Sequence, residues 1–390
     1  MKVLLLNDSS TPSGGAELMT LSLRDGFRLR GHDARLFSST AKYGNQEPQA
    51  DYTCYGTTGS LRTLNRVFNL SAYWQLRKTL KDFQPDIVHV RMFLSQLSPL
   101  ILPLLREIPC LYHAPWYETV CPTGLKLLPD HSVCRETYGY PCLRHRCVSP
   151  HAWVILMSQL KLWRQWKGVF NVVVTNSHAV KETFEEHDIG PVKVIWNGVE
   201  PRNEGSTWQA RPTVVYAGRL AWEKGLLVLT QAFAKCVPKI PDAQLLIAGE
   251  GPIEKSIRDL IAELGISENA KLLGHLTQDE IDEQFSGAWV QALPSLTPEP
   301  FASSAIEGMM RGHAIIASNL GGFPEIIDDG ISGHLIEPND VDAWANALYS
   351  LLDSPDTTRQ MGQAGRNRAL QKFDRESCIE NFLELYREIA

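Results

Sequence analysis

The chain has 390 residues, 44% of them hydrophobic, and a formal net charge of −6 at pH 7. This length favours two domains over a single hydrophobic core. The mild acidic balance argues against a nucleic-acid-binding protein, which normally carries a basic stripe, and no apolar run reaches the length of a membrane span.

Short apolar runs alternate with helical patterns along the first half of the chain. The first run, Lys2–Asn7, reads as a buried strand and lacks the length of a signal peptide, so we expect a cytoplasmic protein. A helical pattern over Ala16–Leu29 follows it. This alternation indicates a doubly wound parallel sheet. Further strands are expected at Ala34–Ser38, Asp86–Val90, Cys110–Tyr112, Asn171–Thr175 and Lys193–Trp196.

The same alternation resumes after a polar linker. The expected strands are Thr213–Ala217, Gln244–Ala248, Lys271–Leu273, Ala288–Leu293 and Ala314–Ser318. The expected helices are Gly225–Cys236, Ile253–Leu264, Gln278–Phe285, Ser304–Arg311, Asp340–Leu352 and two more in the tail from Asp356 to Ala390.

Two Rossmann-like halves on one chain predict a ligand cleft between the strand ends of both. We expect an N-terminal domain at 1–196 with a cysteine-rich insertion at 121–147, and a linker at 197–211. A C-terminal domain at 212–370 and a last helix at 371–390, packing back on the N-terminal domain, complete the chain.

Two glutamates follow an expected strand within the stretch Pro294–Glu325. Glu299 lies in the loop, and Glu307 is expected in the first turn of a helix that begins near Ser304. A helix N-terminus suits a phosphate, whereas carboxylates accept hydrogen bonds from hydroxyls. The pattern suggests a sugar nucleotide. The alternative is a capping box formed by Ser304 and Glu307, with Glu299 as a solvated loop residue.

Glycines and cations mark two further loops. Gly14 and Gly15 follow the first strand, where they form either a diphosphate site or an ordinary tight turn. Arg219 and Lys224 follow the first strand of the second half and suit a diphosphate, or else flank a helix as an ordinary charge pair. A GxGxxG motif is missing because the run Gly249–Pro252 lacks the third glycine.

In combination these motifs resemble those of retaining glycosyltransferases of the GT-B fold, family 4. They span nearly the whole chain in the family's order, and those of the C-terminal half are the more specific. The resemblance implies an α/β GT-B fold in which two Rossmann-like, doubly wound parallel-sheet domains face each other across a cleft. The matching motifs are Gly14-Gly15, Asn197-Gly198-Val199, Arg219 with Lys224, Ala248–Pro252, Gly274-His275-Leu276, Glu299 with Glu307, and Gly321–Glu325.

The resemblance also implies roles for individual residues. Arg219 and Lys224 hold the diphosphate, Glu299 binds hydroxyls of the donor sugar, and Glu307 binds the ribose. His113 faces the donor sugar; the alternative is a satisfied core histidine. The remaining donor-binding residues implied are Gly14, Gly15, Asn197, Gly249, Glu250, His275, Leu276, Phe301, Ala302, Ser303 and Ser304.

Two positions depart from the family pattern. Ala114 stands where family members often have Asp or Glu after the histidine, which puts local sugar and acceptor contacts in doubt. Ala302 replaces a glycine, a change expected to leave phosphate binding intact.

The chemistry follows from the developing charge. Departure of a nucleoside diphosphate places negative charge where Arg219, Lys224 and a helix N-terminus stabilise it. The motif Asp340-x-Asp342 reads as a helix N-cap rather than a metal site, so we expect metal-independent transfer with no required cofactor. No carboxylate is an obvious nucleophile, and same-face attack by the acceptor is the retaining route that the resemblance implies.

By resemblance the donor is a UDP-sugar, with UDP-glucose favoured, and the acceptor is a saccharide or lipid-linked saccharide. The setting implied is assembly of exopolysaccharide or another envelope polysaccharide. The competing hypotheses are a nucleotide-sugar epimerase or hydrolase of the same fold, and a non-catalytic nucleotide-sugar-binding subunit. The sequence makes no prediction of oligomeric state.

Four cysteines cluster in the middle of the N-terminal half: Cys121, Cys134, Cys142 and Cys147, with His131 and His145 nearby. Their spacing leaves open a structural zinc, a disulfide or free thiols.

Two basic, Trp-bearing segments, 61–81 and 151–170, permit peripheral association with the inner face of a membrane or with a lipid-linked substrate. The alternative is ordinary helices with one buried face.

Overall fold

The structure, a computed structural model, describes residues 1–12, 14–43, 47–59, 62–130, 132–202, 208 and 210–390. The motif residue His131, Leu61 of the first basic segment and part of the expected linker lie outside the described residues. The chain divides into two compact units: Met1–Asn197 with Cys378–Ala390, and Gly198–Ser377. The chain therefore leaves the first unit once and returns to it near its end.

The first unit is built on a parallel sheet covered by helices. Its strands are β1 (Lys2–Asn7), β2 (Asp33–Ser39), β3 (Tyr52–Cys54), β4 (Ile87–Val90), β5 (Cys110–Ala114), β6 (Val172–Thr175) and β7 (Val192–Val194). Its helices are α1 (Gly15–Leu29), α2 (Arg62–Asn65), α3 (Leu70–Phe83), α4 (Tyr140–Arg144), α5 (Pro150–Trp166) and α6 (His178–Glu186), with 3-10 helices at Pro99–Leu105 and Lys167–Val169. The strand order is β3-β2-β1-β4-β5-β6-β7.

The central position of β1 in the sheet explains why its four inner residues, 3–6, are all apolar. Val3 and Leu5 lie in the core on one face of the sheet, while Leu4 and Leu6 lie in the core on the other. A strand buried on both faces carries no polar alternation.

The second unit repeats this architecture with a six-stranded parallel sheet. Its strands are β8 (Thr213–Ala217), β9 (Gln244–Ala248), β10 (Ala270–Gly274), β11 (Val290–Leu293), β12 (Ala314–Ser318) and β13 (Gly333–Ile336). Its helices are α7 (Leu226–Cys236), α8 (Glu254–Glu263), α9 (Gln278–Gln284), α10 (Ser303–Met310), α11 (Phe323–Ile326), α12 (Val341–Leu352) and α13 (Pro355–Lys372), with a 3-10 helix at Trp222–Lys224. The strand order is β10-β9-β8-β11-β12-β13.

The last helix, α14 (Arg375–Ile389), begins in the second unit and continues into the first. Its residues Phe382 and Tyr386 are fully buried in the same core as Val3 and Leu5. This helix therefore covers part of the first unit's sheet.

The expected fold of two parallel-sheet α/β halves is confirmed. The sequence missed β3 and β13, which have three and four residues and are only partly buried. The expected strand at Lys193–Trp196 ends earlier, at Val194, although the Ile195 N–H still donates to the Thr175 carbonyl at 3.0 Å.

The first basic segment is not one continuous helix. It contains α2 and α3, because Asn69 ends the intervening turn and caps α3, its side chain accepting from the Ala72 N–H at 2.9 Å. None of the helices that the structure describes is both long and apolar enough to span a membrane.

Candidate functional site

In the second unit, the predicted site residues lie in loops at the carboxyl ends of neighbouring strands. The sheet order reverses between β8 and β11, the position where open α/β sheets bind ligands. Arg219 and Lys224 follow β8, and residues 299–304 follow β11. Gly249 and Glu250 follow β9, and His275 and Leu276 follow β10.

Backbone hydrogen bonds join these loops to one another. The Leu220 N–H donates to the Glu250 carbonyl at 2.9 Å, and the Gly249 N–H donates to the Gly274 carbonyl at 2.7 Å. Gly249 has φ +134°, and a Cβ there would overlap the Gly218 carbonyl. The predicted glycine is therefore required by close backbone packing between loops.

The turn that carries Lys224 is seated against the loop after β11. The Leu296 N–H donates to the Glu223 carbonyl at 2.8 Å. Gly225 has φ +67°, and a Cβ there would overlap the Pro294 carbonyl oxygen. This contact fixes Lys224 beside the loop that holds Glu299.

Lys224 and Glu299 form an ion pair. Lys224 Nζ lies 2.5 Å from Glu299 Oε1, and the Ser295 hydroxyl donates to the same oxygen at 2.7 Å. Only 17% of the Glu299 side chain is exposed, so the alternative of a solvated loop residue is wrong. Ser295 was missed because a serine after a strand gives no distinctive pattern.

Two glycines also contact the backbone of the loop that contains Glu299. The Gly322 N–H donates to the Glu299 carbonyl at 2.8 Å. Gly321 has φ +57°, and a Cβ there would overlap the same carbonyl. These two residues belong to the run Gly321–Glu325 noted in the sequence, and they position the carboxylate through its backbone.

Arg219 lies at the surface of the unit. Its side chain is 62% exposed and pairs with Glu223, while the Tyr216 hydroxyl donates to its carbonyl at 3.1 Å. An exposed ion pair of this kind contributes little stability. The guanidinium can therefore exchange Glu223 for a more highly charged anion at small cost.

The helix α10 begins one residue earlier than expected, at Ser303, with Ala302 as an N-cap that makes no side-chain hydrogen bond. The capping box of Ser304 and Glu307 is therefore not formed, and that alternative is wrong. Glu307 is the fifth helical residue and lies in the second turn rather than the first. The first backbone N–H groups of a helix have no partner within it, so they are available to an anion.

Phe301, just before this helix, is buried. Its ring packs on Phe373 with ring centroids 6.1 Å apart. Any donor contact from this residue therefore comes from its backbone, because its side chain is part of the core.

Glu307 lies in a half-buried polar cluster around the buried Arg311. Burial raises the pKa of its carboxyl group, and the positive charges of Arg311 and Arg202 oppose this increase. The Arg311 Nε–H donates to Asp282 Oδ1 at 2.8 Å.

The other predicted donor contacts differ in exposure. The side chains of Glu250 and His275 are exposed, and Leu276 is half-buried. Asn197 lies in the first unit, and its Oδ1 is buried with no hydrogen-bond partner within the described part of the chain.

In the first unit, the glycine loop follows β1. Gly14 is the N-cap of α1 and Gly15 its first residue. A Cβ on Gly14 would lie 2.8 Å from Glu17 Oε2, whereas a Cβ on Gly15 would meet nothing within 4 Å. No packing contact among the described residues requires a glycine at position 15.

His113 lies in β5 and is fully buried. Its Nδ1 is 3.0 Å from Arg91 Nη1 and 3.1 Å from His89 Nε2. Its Nε2 has no hydrogen-bond partner among the residues that the structure describes, so the alternative of a satisfied core histidine is not met. Burial and the charge of Arg91 lower the pKa of His113 well below its ordinary value. Ala114, the family departure, is the last residue of β5 and is buried.

Glu118, in the loop after β5, was not singled out by the sequence. Burial and the neighbouring charge of Asp8 raise the pKa of its carboxyl group to about 8, which Trp116 and Arg66 oppose. Its Oε1 is buried without a hydrogen-bond partner within the described ranges. Asp8 itself is held by the N–H groups of Ser95, Gln96 and Leu97 at 2.7, 2.7 and 2.8 Å.

The four clustered cysteines are free thiols. Burial raises the pKa of Cys142 and Cys147, and the other thiols of the cluster add to the increase. Within the described ranges, no three His, Cys, Asp or Glu side chains are placed to hold a metal ion together. The zinc hypothesis therefore stays a prediction, and the motif residue His131 lies outside the described residues.

The prediction for Asp340 is confirmed. It is the N-cap of α12, and its carboxylate accepts the Ala343 N–H at 2.9 Å. The Asp-x-Asp motif therefore has a structural role at a helix start.

Comparison with known proteins gives two domain matches. Residues 13–203 match the family described as Glycosyltransferase Family 4, and residues 202–368 match the family described as Glycosyl transferases group 1. A similar relative is the alpha-maltose-1-phosphate synthase of Mycolicibacterium smegmatis, 30% identical over 214 residues, or 50% of this chain and 54% of the relative. The chain thus spans about half the length of that relative.

Solved structures of the same fold cover the whole chain. Sucrose-phosphate synthase from Thermosynechococcus elongatus has a TM-score of 0.73 at 20% identity, covering 100% of this chain and 98% of that one. Anabaena HepE in complex with UDP-glucose has a TM-score of 0.70 at 20% identity, covering 100% of both chains. These similarities establish the GT-B fold.

Proposed function

We propose that this chain, whose two domains belong to the Glycosyltransferase Family 4 and Glycosyl transferases group 1 families, is a retaining, metal-independent hexosyltransferase. Its donor is a UDP-sugar, with UDP-glucose favoured, and its acceptor is a saccharide or lipid-linked saccharide in polysaccharide biosynthesis. The observation that carries the proposal is the cluster of Lys224, Glu299 and Ser295 beside the start of α10.

The residues of this cluster and its neighbours suit both the diphosphate and the sugar of a sugar nucleotide. The ammonium of Lys224, the exposed guanidinium of Arg219 and the α10 N–H groups supply positive charge for a departing diphosphate. Glu299 accepts hydrogen bonds from sugar hydroxyls, and its loop is fixed by Gly321 and Gly322.

Three cationic elements perform the task that a metal ion has in other transferases, namely stabilising the leaving group. The only Asp-x-Asp motif of the sequence caps a helix instead. We therefore expect transfer to persist in EDTA. Activity that EDTA abolishes and manganese restores would contradict metal independence.

The preference for UDP-glucose is supported by the fold, which this chain shares with a protein solved in complex with UDP-glucose. A thermal-shift screen with UDP-, GDP- and ADP-sugars tests it, since a ligand that binds the native state raises the apparent stability. We expect the largest shift with UDP-glucose; a larger shift with a GDP- or ADP-sugar would contradict the preference.

Product analysis with a labelled donor tests the reaction class. Transfer of the labelled sugar to a saccharide supports a transferase. A released or isomerised sugar would instead support the hydrolase or epimerase hypothesis, and binding without turnover would support a non-catalytic subunit. An inverted anomeric configuration in the product would contradict the retaining mechanism.

Substitutions test the site itself. We expect Lys224→Ala and Glu299→Ala to reduce transfer at least a hundredfold, because each removes a group that contacts the donor, while thermal unfolding remains cooperative. Lys255→Ala is the matched control, since Lys255 is an exposed lysine in the same unit that pairs with Asp259 in its own helix. Wild-type turnover in the two site variants would contradict these roles.

The acceptor proposal rests on the charge of the first unit. Residues 52–81 contain five Arg or Lys and no Asp or Glu, and residues 137–181 contain six and none. All 44 acidic residues of the chain lie outside these two segments. Both segments adjoin, because α3 and α5 pack on the same 3-10 helix and the Gln159 amide donates to the Arg66 carbonyl at 2.6 Å.

Large apolar side chains are exposed on the same segments. Leu70 is 63% and Trp74 58% exposed, with Leu64 and Phe68 similarly open. Trp74 also lies under the Arg77 guanidinium, 5.6 Å from ring centroid to Cζ. Basic residues beside exposed aromatic and aliphatic side chains suit an anionic lipid surface, and this supports our proposal of a lipid-linked acceptor at the inner face of the membrane.

Vesicle binding tests this placement. We expect the protein to co-sediment with phosphatidylglycerol-containing vesicles and far less with pure phosphatidylcholine, and added salt should weaken binding. Phe68→Ser with Trp74→Ser should reduce binding at least tenfold because both rings lose apolar contact. The control is Ile331→Ser, an equally exposed position in the second unit. Equal binding to both vesicle types would contradict the proposal.

A further inference from the structure

His113 sits at one end of a chain of buried hydrogen bonds. The Tyr386 hydroxyl lies 2.6 Å from His89 Nδ1, and His89 Nε2 lies 3.1 Å from His113 Nδ1. Arg91 Nη1 lies 3.0 Å from the same His113 nitrogen. The four side chains are fully buried or nearly so, at 0–1% exposure.

The guanidinium of Arg91 determines which nitrogen of His113 carries the proton. A guanidinium only donates hydrogen bonds, so His113 Nδ1 must accept. The ring is neutral because Arg91 and burial lower its pKa, and Arg91 stays charged at neutral pH since its own pKa is lowered only to about 10. The single proton of the ring therefore resides on Nε2.

His89 supports the same tautomer. If His89 Nε2 lacked a proton, two lone pairs would face each other across 3.1 Å. The favourable arrangement places the proton on His89 Nε2, which donates to His113 Nδ1, and leaves His89 Nδ1 to accept from the Tyr386 hydroxyl at 2.6 Å. In this series of hydrogen bonds, each donor then points toward His113.

The last group of this chain of hydrogen bonds, at His113, has an unsatisfied hydrogen-bonding atom. His113 Nε2–H is a buried donor without an acceptor among the described residues, and such donors are rare because an unpaired buried N–H costs the full desolvation of the group. A neutral N–H donor suits a hydroxyl or ring oxygen. His113 lies in β5 near the edge of the sheet where Gly14 and Arg91 also lie, after β1 and β4.

We propose that Arg91, supported by His89 and Tyr386, is the positioning residue that fixes His113 as an Nε2–H donor, the form in which His113 can make the donor-sugar contact that the resemblance already implies for it. The sugar half of this inference rests on the proposed function. The titratable groups that act on Arg91 are Glu17 in the first turn of α1, Tyr112 in β5, and Cys378 and Tyr386 on α14.

Imidazole nitrogen NMR tests the tautomer directly. In the ligand-free wild-type protein we expect His113 to show a protonated Nε2 and an unprotonated Nδ1. In Arg91→Met the ring should populate both tautomers, and in Tyr386→Phe the chemical shift of His89 Nδ1 should change because that nitrogen loses its hydrogen-bond donor. A merely structural role for Arg91 would not move these spectra, and an unchanged His113 tautomer in Arg91→Met would overturn the positioning role.

The sugar contact has its own measurement. Adding UDP-glucose to the wild-type protein should shift the His113 Nε2 proton, whereas UDP alone should not. We expect Arg91→Met to reduce kcat about tenfold, the effect of losing one well-oriented hydrogen bond in a transition state. Equal shifts with UDP and UDP-glucose, or an ordered water on Nε2 in the sugar-nucleotide complex, would overturn the sugar contact.

The two failures are distinguishable. If the protein bound no sugar nucleotide, the proposed function and the sugar contact would both fall, while the ligand-free spectra would still decide the tautomer. If Arg91→Met proved too unstable for NMR, Tyr386→Phe would replace it, since it removes one hydroxyl and little volume. An unchanged chemical shift of His89 Nδ1 in that variant would overturn the hydrogen-bond chain.

Discussion

At the scale of single residues, burial decides the charge state of several carboxyl and imidazole groups. Glu118 has a carboxyl oxygen with no hydrogen-bond partner within the described residues, and its pKa is raised from the ordinary value of 4.5 to about 8. Asp8 contributes to this increase through its negative charge, and Arg66 opposes it. Between about pH 4.5 and about pH 8, the folded protein therefore holds a proton on Glu118 that the unfolded chain releases.

This difference predicts a pH-dependent stability. A group with a raised folded-state pKa stabilises the fold fully below its unfolded pKa, and that contribution is lost as pH rises through the folded pKa. The free energy of unfolding should therefore fall between about pH 4.5 and about pH 8. Glu118→Gln, which cannot ionise, should flatten the slope in this window. Urea unfolding at several pH values measures it, and parallel slopes for both proteins would contradict the assignment.

Gly15 makes a second prediction at this scale. A Cβ there meets no described atom within 4 Å, and alanine is the better helix former. Gly15→Ala should therefore leave stability within about 0.5 kcal/mol of wild type or raise it, yet increase the KM for the donor about tenfold if a diphosphate approaches the backbone closely. Gly168→Ala is the control, because that position is equally open and is not among the predicted donor-binding residues. An unchanged donor KM in Gly15→Ala would contradict the proposed contact.

At the scale of elements, tight packing between loops gives the glycines of the second unit their role. Gly225 and Gly265 have nearly the same backbone conformation, φ +67° and +69°. Only Gly225 is blocked, because a Cβ there would overlap the Pro294 carbonyl oxygen. The pair separates backbone strain from steric overlap.

We expect Gly265→Ala to cost about 1–2 kcal/mol, the penalty of a left-handed conformation for alanine. Gly225→Ala should cost at least about 3 kcal/mol, because the loop after β11 must also move. Transfer should be lost only in Gly225→Ala, since that movement separates Lys224 from Glu299. Chemical unfolding and a transfer assay on both variants check this; equal destabilisation would show that the overlap is relieved without cost.

The elements also show what the sequence could predict. The strands β1, β8, β9 and β12 were predicted to the residue, because each is a continuous apolar run bounded by polar or glycine-rich turns. The strands β3 and β13 were missed because three or four residues give no periodic signal.

Within the site, the same contrast holds. Local motifs gave Lys224 and Glu299, but not the hydrogen bond between Tyr386 and His89, whose partners are 297 positions apart in the chain. Nor did they give Ser295, whose importance comes only from its contact with Glu299. Contacts set by tertiary packing leave no local pattern to read.

At the scale of the whole molecule, the first unit is discontinuous in sequence. It consists of Met1–Asn197 and Cys378–Ala390, and Phe382, Leu383 and Tyr386 fill its core on one face of the sheet. Residues near the start and the end of the second unit are hydrogen-bonded to each other. The Val199 N–H donates to the Phe373 carbonyl at 2.9 Å, and the Arg375 N–H donates to the Val199 carbonyl at 3.1 Å.

This arrangement predicts the effect of truncation. A chain ending at Ser377 loses the apolar cover of β1 and should expose it to solvent, so the first unit should unfold at a much lower temperature while the second retains a cooperative transition. Differential scanning calorimetry resolves the two transitions. The control is Tyr386→Phe, which keeps the apolar ring and should shift the first transition by only a few degrees. Two unchanged transitions in the truncated chain would contradict this role for α14.

The return of α14 has a consequence for biosynthesis. A ribosome makes the chain from its amino end, so an N-terminal domain that is continuous in sequence would normally fold first. Here the first unit lacks residues 378–390 until all of residues 198–377 have been synthesised. The second unit is thus free to fold before the first. Until Phe382 and Tyr386 cover it, the apolar face of the nascent first unit is exposed to chaperones during elongation.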